Sequence, residues 1–144
     1  DRIAGLKDGL EGSGCEISWE YNYARGNQNT SEIIASKKQV DYLVILDNWA
    51  LEEVGEAAEE NKYHGAKIYG VGSSEKAIVL LDNQNIECLV VPDDYETGYM
   101  SMNEIAKKLR HSFYKMNSCE TEVRIINKED LYSKDLERFL YSYE

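Results

Sequence analysis

The chain has 144 residues, 42% hydrophobic and 30% charged, which suits a folded domain and excludes a low-hydropathy disordered segment. Sixteen Lys and Arg against 27 Asp and Glu leave a net charge of −11. That balance argues against a nucleic-acid binder, which needs a basic face for phosphates, and against docking on anionic lipid. No apolar run approaches the roughly 20 residues that a membrane helix requires.

The elements can be taken in chain order. Ile3, Leu6 and Leu10 share a helical face, and Gly12 and Gly14 end that helix. Residues 17–21 alternate with period two, which predicts a strand, and residues 22–29 read as a polar loop. Thr30 or Ser31 caps a short helix over residues 32–36. Residues 42–46 are apolar on both faces, as an interior parallel strand should be, and stop at Asp47 and Asn48. The next helix carries an apolar stripe of Ala50, Leu51, Val54, Ala57 and Ala58. Its Glu52, Glu53, Glu56, Glu59 and Glu60 read as a solvated face and not as a metal site.

Further strands are expected over residues 67–71, 86–91 and 122–126, with a helix at about 75–82. A long amphipathic helix over 95–111 should turn Tyr99, Met102, Ile105, Ala106 and Leu109 inward. The terminal segment from Lys128 is expected to be helical from Ser133. Strands alternating with helices predict an α/β fold, a three-layer α/β/α sandwich around a mostly parallel sheet.

Cys15, Cys88 and Cys119 are odd in number, so at least one thiol is free. With His64 and His111 as the two histidines, no spacing reads as a zinc site, and no metal or cofactor is implied. GxGxxG, the phosphate-loop motif and GxSxG are all absent, and neither histidine has a nucleophile at motif spacing, so an enzyme is disfavoured. Open α/β sheets bind ligands outside the carboxyl ends of their strands. Those ends carry Tyr21 and Tyr23, then Asp47 and Asn48, then Gly72, Ser73 and Ser74, then Pro92, Asp93 and Asp94. Hydrogen-bonding groups beside aromatic faces suit a small polar ligand, although a polar residue after a strand can equally be a helix cap.

Four segments in series resemble the type I periplasmic-binding-protein superfamily, which includes sugar-binding proteins of ABC transporters and effector domains of lac-type repressors. Residues 2–10 are similar to its R-x-x-G-F/L-x-x-x-L helix, and residues 41–51 to its strand followed by N/D and A-L. Residues 68–72 resemble its V-x-V-G-F-D strand, and residues 86–99 its I-x-A-x-V-x-Q-x-P/Y-x-x-x-G strand and helix start. The order and spacing match over residues 1 to about 110.

The resemblance implies one lobe of a two-lobed fold that closes on its ligand. It makes residues 1–91 the second ligand-binding lobe without its first strand. Residues 92–144 become a helix–strand–helix segment returning to the other lobe and hinge. The start at Asp1, with no leader before it, reads as an excised or cleaved piece.

By the resemblance, Arg2 bonds ligand hydroxyls, Tyr21 or Tyr23 faces the sugar ring, and Asp47 or Asn48 matches the family Asn/Asp. The family's aspartate position is taken by Gly72 beside Ser73, and its glutamine position by Pro92. Those departures point away from a standard monosaccharide. The function implied is extracytoplasmic capture of a sugar-like solute for an ABC transporter permease, reached through the complete protein. The alternative is a sensory or regulatory ligand-binding domain of the same fold. An open sheet edge and an exposed apolar flank add an expected homodimer of this chain, and the acidic balance implies no direct nucleic-acid contact by it.

Overall fold

The computed structural model describes residues 2–24, 26, 29–59, 61–136 and 140. The elements run α1 (Arg2–Leu10), α2 (Thr30–Ala35), β1 (Tyr42–Ile45), α3 (Asn48–Ala58), β2 (Lys67–Val71), α4 (Glu75–Asp82), β3 (Cys88–Pro92), α5 (Asp94–Arg110) and β4 (Val123–Ile126). Short 3-10 helices at Lys128–Tyr132 and Lys134–Leu136 follow. The sheet order is β1-β2-β3-β4. The first two pairings are parallel, with Val44 opposite Tyr69 and Gly70 opposite Leu89, and β4 returns antiparallel with Ile126 opposite Leu89. This is the α/β fold with a mostly parallel sheet that the alternating elements predict.

Parallel neighbours joined by right-handed crossovers, in unbroken spatial order, place α3 and α4 on the same face. The core lies there. Leu51 and Val54 of α3, Leu80 and Leu81 of α4, and Ile68, Leu89 and Val91 from the strands are buried together. Two glycines let these layers close. A Cβ on Gly70 would lie 2.3 Å from Leu51 Cδ1, and one on Gly55 would lie 2.8 Å from Leu80 Cδ1. Helix starts are fixed locally: the Asp47 carboxylate accepts from the Trp49 and Ala50 amides, Ser74 Oγ from the Ala77 amide, and Asp93 from the Glu96 amide.

The opposite face is more open. Tyr42, Val44 and Ile125 are exposed large side chains, and the Tyr42 and Tyr69 rings meet at 6.2 Å. Here the structure departs from several expectations. Residues 17–21 join no sheet, and among the described residues no strand pairs with them. Their period-two pattern is nonetheless expressed: Trp19 and Tyr21 pack against the core while Ser18 and Glu20 are exposed.

The stripe on α5 is not turned inward. Tyr99, Met102, Ile105 and Leu109 are exposed, and the residue α5 buries is Glu104. Amphipathic spacing states that a face needs cover; it does not state that the cover is in the same chain. Glu52 is also half-buried and bonded, unlike the solvated face expected of it; Glu60 lies outside the described residues. The terminal segment forms 3-10 turns around Ser133, and the helix expected beyond it falls mostly outside the described residues. All three cysteines are free thiols.

Candidate functional site

The carboxyl ends of β1, β2 and β3 meet at one edge, and the turns leaving them supply a polar cluster. Asn48, the first residue of α3, donates from Nδ2 to Glu52 Oε1 at 2.8 Å. Its Oδ1 accepts weakly from the Ser74 amide at 3.4 Å. Ser74 Oγ donates to the same Glu52 oxygen at 2.7 Å. Lys76 reaches Glu56 at 2.7 Å and Glu52 at 4.0 Å, so the carboxylate is partly neutralised from the solvent side. Beside this network, Ser73 Oγ donates to Asp94 Oδ2 at 2.6 Å, tying the end of β2 to the start of α5.

Gly72 explains why these groups converge. It is buried, its amide donates to Val90 O at 3.1 Å, and a Cβ there would lie 2.4 Å from Asn48 Oδ1. The missing side chain is the space that the Asn48 amide occupies. Glycine at this position is therefore a local requirement of the cluster.

A second group of sequence-selected residues lines a neighbouring cleft between α1, residues 14–23 and β1. Tyr21 and Tyr23 are half-buried in its wall. Arg2 Nη1 donates to Leu46 O at 2.6 Å, which fastens the start of α1 to the carboxyl end of β1. Asp47 also borders this cleft, with one carboxylate oxygen, Oδ1, engaged by two α3 amides at 3.0 Å each. Pro92 ends β3 opposite Val123 and contributes no side-chain polar group.

The structure thus brings Asn48, Gly72 and Ser73 together. It sets Arg2, Tyr21, Tyr23 and Asp47 around the cleft, and places Pro92 in the sheet. Glu52 was missed because its neighbours Glu53, Glu56 and Glu59 make it look like one more solvated carboxylate. Its signal was the spacing Asn48 to Glu52, four residues apart on one helix face. Asp94, in contrast, was visible at a strand end but had no evident partner in the sequence.

The fold is an α/β lobe with a polar edge at the carboxyl ends of its strands, where open α/β sheets bind ligands. Residues 1–112 match the family described as periplasmic binding protein domain, and the chain belongs to that family. Among solved structures, it is similar to a carbohydrate-transporter solute-binding protein from Agrobacterium radiobacter in complex with D-arabinose. That match has a TM-score of 0.80 at 22% identity and covers 97% of this chain and 50% of the other.

An ABC-transporter solute-binding protein from Agrobacterium vitis with bound D-fucose matches at TM-score 0.78 and 15% identity, with the same coverage. GanP, a glucose-galactose binding protein from Geobacillus stearothermophilus, matches at TM-score 0.60 and 21% identity over 71% of this chain and 37% of the other. The chain spans about half the length of the first two. No curated protein matches it.

Proposed function

We propose that the chain is the second ligand-binding lobe of an extracytoplasmic solute-binding protein that captures a sugar or similar small polar solute for an ABC transporter. Residues 1–91 form that lobe, and residues 92–144 return to the other lobe and hinge. The observation that carries the reading is the cluster of Asn48, Glu52, Ser73, Ser74 and Asp94 at the carboxyl edge of the sheet. Carboxylate, amide and hydroxyl groups on one rim match the mixed donors and acceptors of a sugar's hydroxyls. Arg2 and the Tyr21 and Tyr23 rings flank the adjoining cleft and supply the charged and stacking contacts. Closure against the other lobe sequesters the ligand, and the permease reads the closed form. The sugars bound by the solved relatives support the class of ligand and leave the particular sugar to experiment.

The test is an amide-resolved NMR titration of the chain with D-arabinose and with D-fucose. Half a cleft binds weakly, on the order of millimolar. The expected result is saturable shifts confined to Asn48, Ser73, Ser74 and Asp94, lost on Gly72→Ala. Shifts absent at every concentration, or scattered over the surface, would overturn the assignment of this edge as a sugar site.

A further inference from the structure

The polar rim at the carboxyl edge of the sheet spends part of its hydrogen-bonding capacity on itself, and what remains is one-sided. Ser74 Oγ accepts from the Ala77 amide at 3.2 Å and donates its hydrogen to Glu52 Oε1, so it has none to give a ligand. Ser73 Oγ gives its hydrogen to Asp94 Oδ2 and keeps its lone pairs. Asp94 is exposed, and among the described residues no group engages its Oδ1. Asn48 spends an Nδ2 hydrogen on Glu52, and the Ser74 amide holds its Oδ1 only at 3.4 Å. The second Nδ2 hydrogen of Asn48 is left to donate. Ser73 Oγ, Asn48 Oδ1 and the Asp94 carboxylate are left to accept.

Charge points the same way. Asp47, Glu52, Asp93 and Asp94 all bring carboxylates to this edge. The cation that reaches the cluster, Lys76, lies 2.7 Å from Glu56 and 4.0 Å from Glu52, so it is drawn one turn along α3 and away from the rim. Helix N-termini ordinarily attract anions, but here the protein fills them itself. The Trp49 and Ala50 amides donate to Asp47 Oδ1, the Ala77 amide to Ser74 Oγ, and the Glu96 amide to Asp93 Oδ1. A phosphate or carboxylate on a ligand would meet carboxylates in place of free amides.

We propose that this edge selects a sugar bearing a protonated amine over neutral sugars, and rejects acidic ones. An ammonium donates three hydrogens and accepts none, the complement of Ser73 Oγ, Asn48 Oδ1 and Asp94. Asp94 sets the preference, because its carboxylate is exposed and keeps an oxygen free. One carboxylate about 4 Å from the ammonium in high dielectric gives roughly a fivefold preference for the cation. The proposal rests on the reading of this edge as a sugar site and adds the charge of its ligand.

The probes are D-galactosamine, N-acetyl-D-galactosamine, D-galactose and D-galacturonate, which share a ring stereochemistry and differ in charge. Each is titrated into the chain at low salt and mildly acidic pH, where the amine is protonated, with amide shifts followed by NMR. Asp94→Asn removes the charge and keeps an oxygen for Ser73. Glu59→Gln removes the same charge from the exposed far end of α3 and controls for the net charge of the chain.

The expected result is saturable shifts at Asn48, Ser73 and Asp94, with D-galactosamine binding about fivefold or more tighter than D-galactose and its N-acetyl form. D-Galacturonate should give no saturable shift. Asp94→Asn should bring the amine preference to about one and leave D-galactose unchanged, Glu59→Gln should preserve the preference, and added salt should weaken the amine alone. Equal binding of amine and neutral sugars, saturable binding of D-galacturonate, or a preference that survives Asp94→Asn would overturn the proposal while the sugar site stands. No saturable shift from any of the four would overturn both.

Discussion

Glu104 shows how one carboxylate can hold a loop. It accepts from the Asn117 amide at 2.8 Å, from Lys107 Nζ at 2.8 Å and from the Tyr114 hydroxyl at 3.0 Å. These contacts, the Asn117 N–H first, hold its carboxyl down from 4.5 to about 2, and they push the Lys107 ammonium up. The native state therefore takes up the Glu104 proton later than the unfolded chain does. Between pH 4.5 and 2 the unfolded state binds more protons, so the contribution is fully present above about 4.5 and lost as the pH falls toward 2. The Asn117 amide shift, followed by NMR through an acid titration, should change with a midpoint near 2. Glu104→Gln should remove that step. A midpoint near 4.5 would mean that the carboxylate is not held as the geometry shows.

Asp47 makes a second residue-scale test, because its cap and its cleft position predict different losses. Its Oδ1 takes two helix amides, so Asp47→Ala should cost about 1 kcal/mol of stability in urea denaturation. If capping is its whole role, the sugar titration shifts at Ser73 and Asp94 survive in the variant. A fully retained stability would remove the cap from the account.

At the scale of elements, α3 packs closely on β2 where Gly70 meets Leu51. Gly70→Ala drives a methyl into Leu51, which is fully buried and has nowhere to move. Overpacking of this kind costs about 1–3 kcal/mol, so a denaturation midpoint unchanged from wild type would contradict the close approach. The elements of this joint were legible in the sequence. The apolar run at 42–46 is too short for a buried helix and rich in β-favouring residues, the stripe from Ala50 to Ala58 has helical spacing, and the strand before Gly72 is bounded by turn residues.

What the sequence hid depended on something outside the local pattern. Residues 17–21 have the alternation of a strand, yet a strand exists only with a neighbour to pair with. The α5 stripe has the spacing of a buried face, yet burial needs a surface to meet it. At the candidate site the strand ends marked the right edge, and Asn48 and Ser73 were visible there. Glu52 was concealed in an acidic run, and the dependence of Asn48 on Gly72 is a distance that spacing does not encode.

For the whole molecule, the unburied surfaces set the association behaviour. Tyr95, Tyr99, Met102, Ile105 and Leu109 form one exposed stripe along α5, with the Tyr95 and Tyr99 rings stacked at 6.4 Å. A contiguous apolar face of this kind is uncommon on a monomer and marks an interaction surface. A second copy of the chain is expected to cover it.

Sedimentation velocity is expected to show concentration-dependent dimers. Met102→Lys with Leu109→Lys should return the chain to monomer with stability within about 0.5 kcal/mol of wild type, since both side chains are already in solvent. Val44→Lys separates the two routes to association. It blocks the β1 edge and leaves α5 untouched, so dimers that survive it but not the α5 double variant assign self-association to the helix stripe. Dimers that survive the double variant and vanish with Val44→Lys place the contact at the sheet edge. A wild-type chain that sediments as a monomer at every concentration would show that neither surface is adhesive enough to pair two copies.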